Sequence, residues 1–225
     1  MIPRVAERLF GRSVAIAAAM PRPAAPAGIP TPTAAPKPGV LVQREEILDG
    51  RSRISGYRFR AVALEAGTPA TVAGRAAALR DDNLAAFAQR RLAIIPLKAE
   101  EWQSGEFRPF VTSNTIFEVE VPSPGGDVAA WQQCVRDMKA DGARVGFDSV
   151  VATPRLAVAL ELADAIFVKP DDYSQEGLAR AMTGLRERDP APTIVVDGIH
   201  TWDDFRSCVA MGAEYCLGSF AAESA

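Results

Sequence analysis

From Leu92 onward the chain alternates short apolar runs with helix-like segments, and this alternation restricts its fold more than any other feature. LAIIPL (92–97), TIFEVEV (115–121), ARVGFDSV (143–150), AIFVK (165–169), TIVVDG (193–198) and EYCLGSF (214–220) each read as a strand. A helix over 80–91 precedes the first of these. A second spans 127–141, with Asp127 as N-cap and Gly142 as stop. Thr153 with Pro154 at the first position opens a third. Segment 174–188 is a fourth, and Thr201 with Asp204 starts a fifth that ends near Gly212. Such interleaving predicts a parallel sheet. Upstream, GVLVQREEILDG and RISGYRFRAVAL are two extended segments joined by an Asp49-Gly50 turn, which makes the first strand antiparallel. Eight strands in one domain predict a closed (β/α)8 TIM-like barrel. A doubly wound open sheet is the competing architecture, but no GxGxxG lies between a first strand and a helix.

The folded part has a legible start. Residues 21–39 (PRPAAPAGIPTPTAAPKPG) form a Pro/Ala linker that is extended and buries no core. The expected organisation is an N-terminal tail and linker over 1–39, helical or disordered, and a barrel domain over 40–225. Arg4, Arg8 and Arg12 before a short apolar patch also allow a poor secretory signal, without a convincing cleavage site. No apolar run approaches the roughly 20 residues that span a bilayer. The net charge of -3 gives no global basic field for nucleic acid. Cys134, Cys208 and Cys216 match no zinc or CxxC spacing, and their odd number argues against a disulfide framework. A cytoplasmic setting is expected.

In a barrel of this kind the C-terminal ends of the strands face the active site. The sequence places charge there repeatedly: Glu118 in FEVE, Asp148 in GFDS, Lys169 and Asp171 in VKPD, Asp197 in VVDG. Each carboxylate alone is an ordinary helix cap or turn former. Gathered at one mouth, they repel one another and stay ionised only beside a cation. A divalent metal would serve, and oxygen ligands suit Mg2+, Mn2+ or Ca2+. Lys169 is the internal alternative. The lone histidine, His200, sits beside a helix start and reads as structural.

The ordered series resembles the EAL family, barrels that hydrolyse or bind cyclic di-GMP, and most of all the shortened EAL domains found next to HDOD modules. The resemblance spans roughly Val40 to Ala222. The family's opening RQPI-type strand is matched by Arg44-Glu45-Glu46-Ile47, and its glycine-tyrosine by Gly56-Tyr57. Its metal-binding glutamate is matched by Glu118, and its DDFG by Asp148-Ser149-Val150-Val151. Lys169-Pro170-Asp171 stands for its Lys-x-Asp, Asp197-Gly198-Ile199-His200 for EGVE, and Leu217-Gly218 for the final QG. The spacings are regular: Glu118 to Asp148 is 30 residues and Asp148 to Lys169 is 21, about one βα unit each.

The departures carry as much weight. Arg58 replaces the glutamate that names the family. Ile95 stands for the expected asparagine, Ser149 for the second aspartate, and Leu217 for the terminal glutamine. Family hydrolysis uses two divalent ions to clamp the attacking water and the leaving oxygen. The resemblance therefore implies a remnant set (Glu118, Asp148, Lys169, Asp171, Asp197), with Glu118 and Asp148 as vestigial metal positions. It implies no cofactor, or Mg2+ or Mn2+ if activity persists. Arg58 is expected to pair with Glu118 or Asp148, and Arg44 and Arg58 are candidate phosphate contacts. The implied function is a catalytically inactive signalling domain, either a protein-interaction scaffold or a cyclic di-GMP-responsive adaptor. Its partners would be an unidentified protein and cyclic di-GMP, with homodimerisation also open. The competing function is an active phosphodiesterase or another barrel enzyme acting on a phosphate ester.

Overall fold

The computed structural model describes residues 39–64 and 69–220. Apart from Gly39, the expected tail and linker over 1–39 lies outside the described residues. The strands are β1 (Val40–Asp49), β2 (Ile54–Ala63), β3 (Leu92–Leu97), β4 (Thr115–Val119), β5 (Arg144–Asp148), β6 (Ala165–Val168), β7 (Thr193–Ile199) and β8 (Tyr215–Gly218). They close in sequence order into a barrel. The first strand runs antiparallel to both β2 and β8, and every other pair is parallel. The helices are α1 (Val72–Asp81), α2 (Leu84–Ala88), α3 (Val128–Ala140), α4 (Ala157–Leu162), α5 (Gln175–Arg186) and α6 (Trp202–Ala210). The closed barrel agrees with the expected TIM-like architecture, and the open sheet is excluded.

The strand period of two sorts the core into two layers. Ile47, Leu92, Ile94, Ile116, Ala165, Phe167, Val195 and Leu217 cluster in the lumen. Their alternate neighbours, among them Phe59, Ile95, Phe117, Phe147 and Val196, form a larger cluster with the helices. Gly146 faces the lumen and contributes no side chain. A Cβ there would stand 2.6 Å from the Phe167 ring, so the glycine makes room for that ring. The lumen is therefore filled, and only the two ends of the barrel can present chemistry.

Local signals explain most of the helix ends. The side chains of Asp127, Ser174 and Thr201 each accept a backbone N–H at the start of α3, α5 and α6. Two expectations fail. The helix expected over 80–91 is two helices, because Asn83 takes a left-handed conformation at φ 56° between α1 and α2. Thr153 makes no side-chain cap, and Pro154 opens a short 3-10 turn before α4. The three cysteines are buried and free. Burial pushes the Cys208 thiol up to about 11 and that of Cys216 to about 12, so both remain protonated.

The β1–β2 hairpin is set by Asp49. Its carboxylate accepts the backbone N–H of Arg51 at 2.8 Å and of Arg53 at 3.0 Å, and Arg53 Nη2 reaches its other oxygen at 2.8 Å. The Arg53 backbone N–H is the main cause that holds this carboxyl below its ordinary range, against the opposing effect of desolvation and with further help from the Arg53 side chain and the Arg51 N–H. A lowered folded-state pKa contributes stability above the unfolded-state value that is lost as pH falls through the folded one. Asp49→Ala is expected to cost about 1 kcal/mol at pH 7, chiefly through the lost backbone hydrogen bonds. In urea unfolding the difference from wild type should shrink below pH 4, as the wild-type carboxyl protonates.

Candidate functional site at the mouth of the barrel

The phase that builds the lumen also builds its rim. On β1, Ile47 points inward, and so does Glu45 two residues before it. On β2 the inward row is Gly56 and Arg58. On β4 it is Ile116 and Glu118, and on β7 it is Val195 and Asp197. Beta-strand pairing sets Glu45 directly opposite Arg58. The rim thus collects three carboxylates around one guanidinium, whose side chain is 3% exposed.

Every N–H direction of Arg58 is engaged. Nε and Nη2 donate to Glu45 Oε2 at 2.9 and 2.7 Å. Nη1 and Nη2 donate to the two oxygens of Asp197 at 2.6 and 2.8 Å, a bidentate pair. Nη1 also reaches Glu118 Oε1, at 3.5 Å. Burial alone would lower the Arg58 pKa. The Asp197 hydrogen bonds and the surrounding carboxylates overcome that and raise it, so the guanidinium stays charged.

Glu118 is served less well. Its Oε2 is buried and has no hydrogen-bond partner. Burial pushes its carboxyl above the usual range, and Asp197 adds to the effect, while Arg58 pulls the other way. Three acids share the Arg58 guanidinium, Arg60 adds a weaker attraction on Glu118, and Glu118 is still the one left short.

A second, more open pair lies alongside. Lys169 Nζ donates to Asp148 Oδ2 at 2.8 Å, and this bond is the main cause of a raised lysine pKa. The other Asp148 oxygen accepts the Val150 N–H at 3.0 Å and caps the 3-10 turn that follows β5. Ser149 is buried and bonded to the Tyr173 hydroxyl at 2.9 Å. Glu118, Asp148, Lys169, Lys98, Glu120 and Arg75 all line one cavity of about 610 Å3. Asp171 stands apart on the turn 170–172, exposed, with its carboxylate 3.6 Å from His200 Nε2.

Several expectations are met differently. Of the two expected partners Arg58 reaches Glu118, at 3.5 Å, and not Asp148, which is taken by Lys169; its shorter bonds go to Asp197 and Glu45. With all its donors used, Arg58 offers none to a phosphate. Arg44 is out of phase with Arg58, and its Nη2 bonds Asp82 at 2.5 Å on the helix side of the hairpin. It does not reach the mouth. Glu45 was not singled out in the sequence, although the hairpin turn and the inward Ile47 together fix it across from Arg58.

The donor set does not fit a divalent ion. Both Asp197 oxygens and one oxygen of Glu118 face a cation that is already present, and Asp148 is held by a lysine and a backbone N–H. Among the described residues no group of three or more His, Cys, Asp or Glu is placed to hold a metal.

The fold and this mouth define a class: a TIM-like barrel whose first strand is inverted and whose rim is charged. Solved structures place it more narrowly. An EAL domain protein from Listeria monocytogenes EGD-e matches with a TM-score of 0.56 at 13% identity, over 81% of this chain and 87% of that one. The Bacillus subtilis YkuI protein, which has an EAL domain and was solved with substrate c-di-GMP and calcium, matches with a TM-score of 0.61 at 12% identity. Klebsiella pneumoniae BlrP1, in a calcium and cyclic di-GMP complex, matches at 0.58 and 15%. The chain covers 84% of its own length in each of the last two, but only 56% of theirs. No protein-family model and no curated protein matches the sequence. At these identities the likeness shows the fold, and the fold is EAL-like.

Removing one member of a buried ion cluster leaves the others uncompensated, which costs about 3–5 kcal/mol. Arg58→Met is expected to lose that much in urea unfolding. Lys169→Met breaks a pair whose lysine side chain is 49% exposed, and should cost less than about 1 kcal/mol.

Proposed function

We propose that this chain is a non-hydrolysing EAL-like domain that serves in bacterial cyclic di-GMP signalling as a protein-interaction scaffold or a cyclic di-GMP-responsive adaptor. The observation that carries this reading is the Arg58 guanidinium, seated among Glu45, Asp197 and Glu118. Metal-assisted cleavage of a phosphodiester needs carboxylates free to bind an ion that polarises water and steadies the leaving oxygen. Here those carboxylates neutralise a side chain. A guanidinium, which stays protonated, neither lowers the pKa of a bound water nor accepts its proton. The rim keeps a positive charge and loses the means of making a nucleophile.

Ligand binding at the mouth is supported by the cavity beside Glu118, whose size lies within the roughly 300–1,000 Å3 range of small-molecule sites. Lys98 and Lys169 line it and would meet a phosphate, a role that neither Arg44 nor Arg58 is free to take. In the scaffold role, Val150 and Val158, half-exposed on the segment that follows β5, would be contact points. A second copy of the chain or another protein would cover them. A cytoplasmic location belongs to the same reading, since among the described residues no helix is long and apolar enough to cross a membrane.

The competing reading is a residual phosphodiesterase using Mg2+ or Mn2+. It is favoured by Glu118, Asp148 and Lys169 meeting at one cavity. One set of samples separates the two. The purified chain is titrated with cyclic di-GMP and with Mn2+ by calorimetry, and hydrolysis is followed by chromatography in the same tubes. No hydrolysis is expected, and no Mn2+ binding tighter than about 1 mM. Cleavage of cyclic di-GMP that is lost in Glu118→Gln would overturn the proposal.

A further inference from the structure

The inward rows that end in acids at the mouth begin with cations and neutral donors at the other end of the barrel. Two residues before Leu92 the β3 row starts at Arg90. The β5 row starts at Arg144, two before Gly146, and the β4 row at Asn114, two before Ile116. The β7 and β8 rows start at Thr193 and Tyr215. These residues, with Ser55 and Arg91, surround a cavity of about 340 Å3 floored by Leu92 and Ile116 of the lumen core. Three of the nine lining residues are arginines, and none is acidic.

Among the described residues, none of these arginines forms an ion pair. The chain as a whole carries a net charge of -3, and eight of the fourteen other arginines among the described residues are ion-paired. Two of the three are held in place. Arg91 Nη1 donates to the Ile54 carbonyl at 2.8 Å, and Arg144 Nη1 donates to the Ser113 carbonyl at 2.9 Å. Each bond uses one N–H and leaves the rest of the fork for something else. The Arg90 side chain makes no hydrogen bond or ion pair among the described residues, although its backbone N–H donates to the Phe87 carbonyl at 3.0 Å. The side chains of Ser55, Asn114, Thr193 and Tyr215 are likewise without a hydrogen-bond partner among the described residues.

Like charges brought to one concave site repel, and among the described residues no carboxylate lies within ion-pairing distance of these three. Forked guanidiniums match the oxygens of a phosphoryl group, and hydroxyl and amide donors complete its coordination. We propose that the N-terminal end of this barrel is a binding site for a small phosphorylated compound. Arg90, Arg91 and Arg144 hold its phosphoryl charge, and Asn114, Thr193 and Tyr215 supply neutral hydrogen bonds. The site lies at the opposite end from the mouth and is independent of the reading given to it.

The test uses the full chain and inorganic pyrophosphate, with 5′-AMP as the organic counterpart. Saturable calorimetric binding is expected below about 1 mM at low salt, weakening as NaCl is raised. The Nε–Hε resonances of Arg90, Arg91 and Arg144 should shift with the same saturation. Arg90→Gln removes no bond of the folded chain, so its thermal midpoint should match wild type while its affinity falls about tenfold. Arg144→Lys keeps the charge without the fork and should fall by less. AMP binding at least as tightly as pyrophosphate favours an organic ligand, and the reverse favours the free anion. No saturable heat by about 10 mM pyrophosphate would overturn the proposal. So would unchanged affinity in Arg90→Gln, which would place the anion elsewhere.

Discussion

A single buried guanidinium holds three parts of this barrel to one another. Arg58 projects from β2, takes Glu45 from β1 and Asp197 from β7, and leans on Glu118 from β4. The closure of the barrel depends on β1 lying antiparallel between β2 and β8, with only Leu48 and Asp49 paired to β8. A tie from the hairpin across the lumen to β7 therefore reinforces a short seam. An isolated charge in such a place would be very costly, and the arrangement persists because all five donors are satisfied at once. The remaining imbalance falls on Glu118, whose second oxygen has no partner.

That arrangement separates likeness of fold from likeness of chemistry. YkuI and BlrP1 were each solved with both cyclic di-GMP and calcium present. The same barrel in this chain directs its acids at a side chain. Fold and function are different claims, and the second rests on the rim residues alone.

Much of this was legible before any coordinates. The alternation after Leu92 gave the barrel, and the Asp49-Gly50 turn gave the inverted first strand. Asp127, Ser174 and Thr201 mark helix starts in the sequence and do so in the structure. The failures have physical causes. Helix α1 (VAGRAAALRD) is rich in alanine and carries little apolar periodicity, so packing rather than pattern defines it. Asn83 breaks a helical run because it tolerates a left-handed backbone. Segment 99–110, which wraps as 3-10 turns around Trp102, Phe107 and Phe110, shows no period to read. At the rim, residue type was visible but phase was neglected. Arg44 and Glu45 are adjacent, and only their opposite directions on β1 decide which one reaches the mouth.

A bound ion leaves when its concentration falls, but a side chain cannot. The positive charge at this rim has no dissociation constant, no competitor among the divalent ions of the cell, and no chelator that removes it. Its local concentration is fixed by covalent attachment to β2, and the carboxylates around it keep it protonated. The charge that Arg58 brings to this mouth is the same in metal-rich and metal-poor conditions alike.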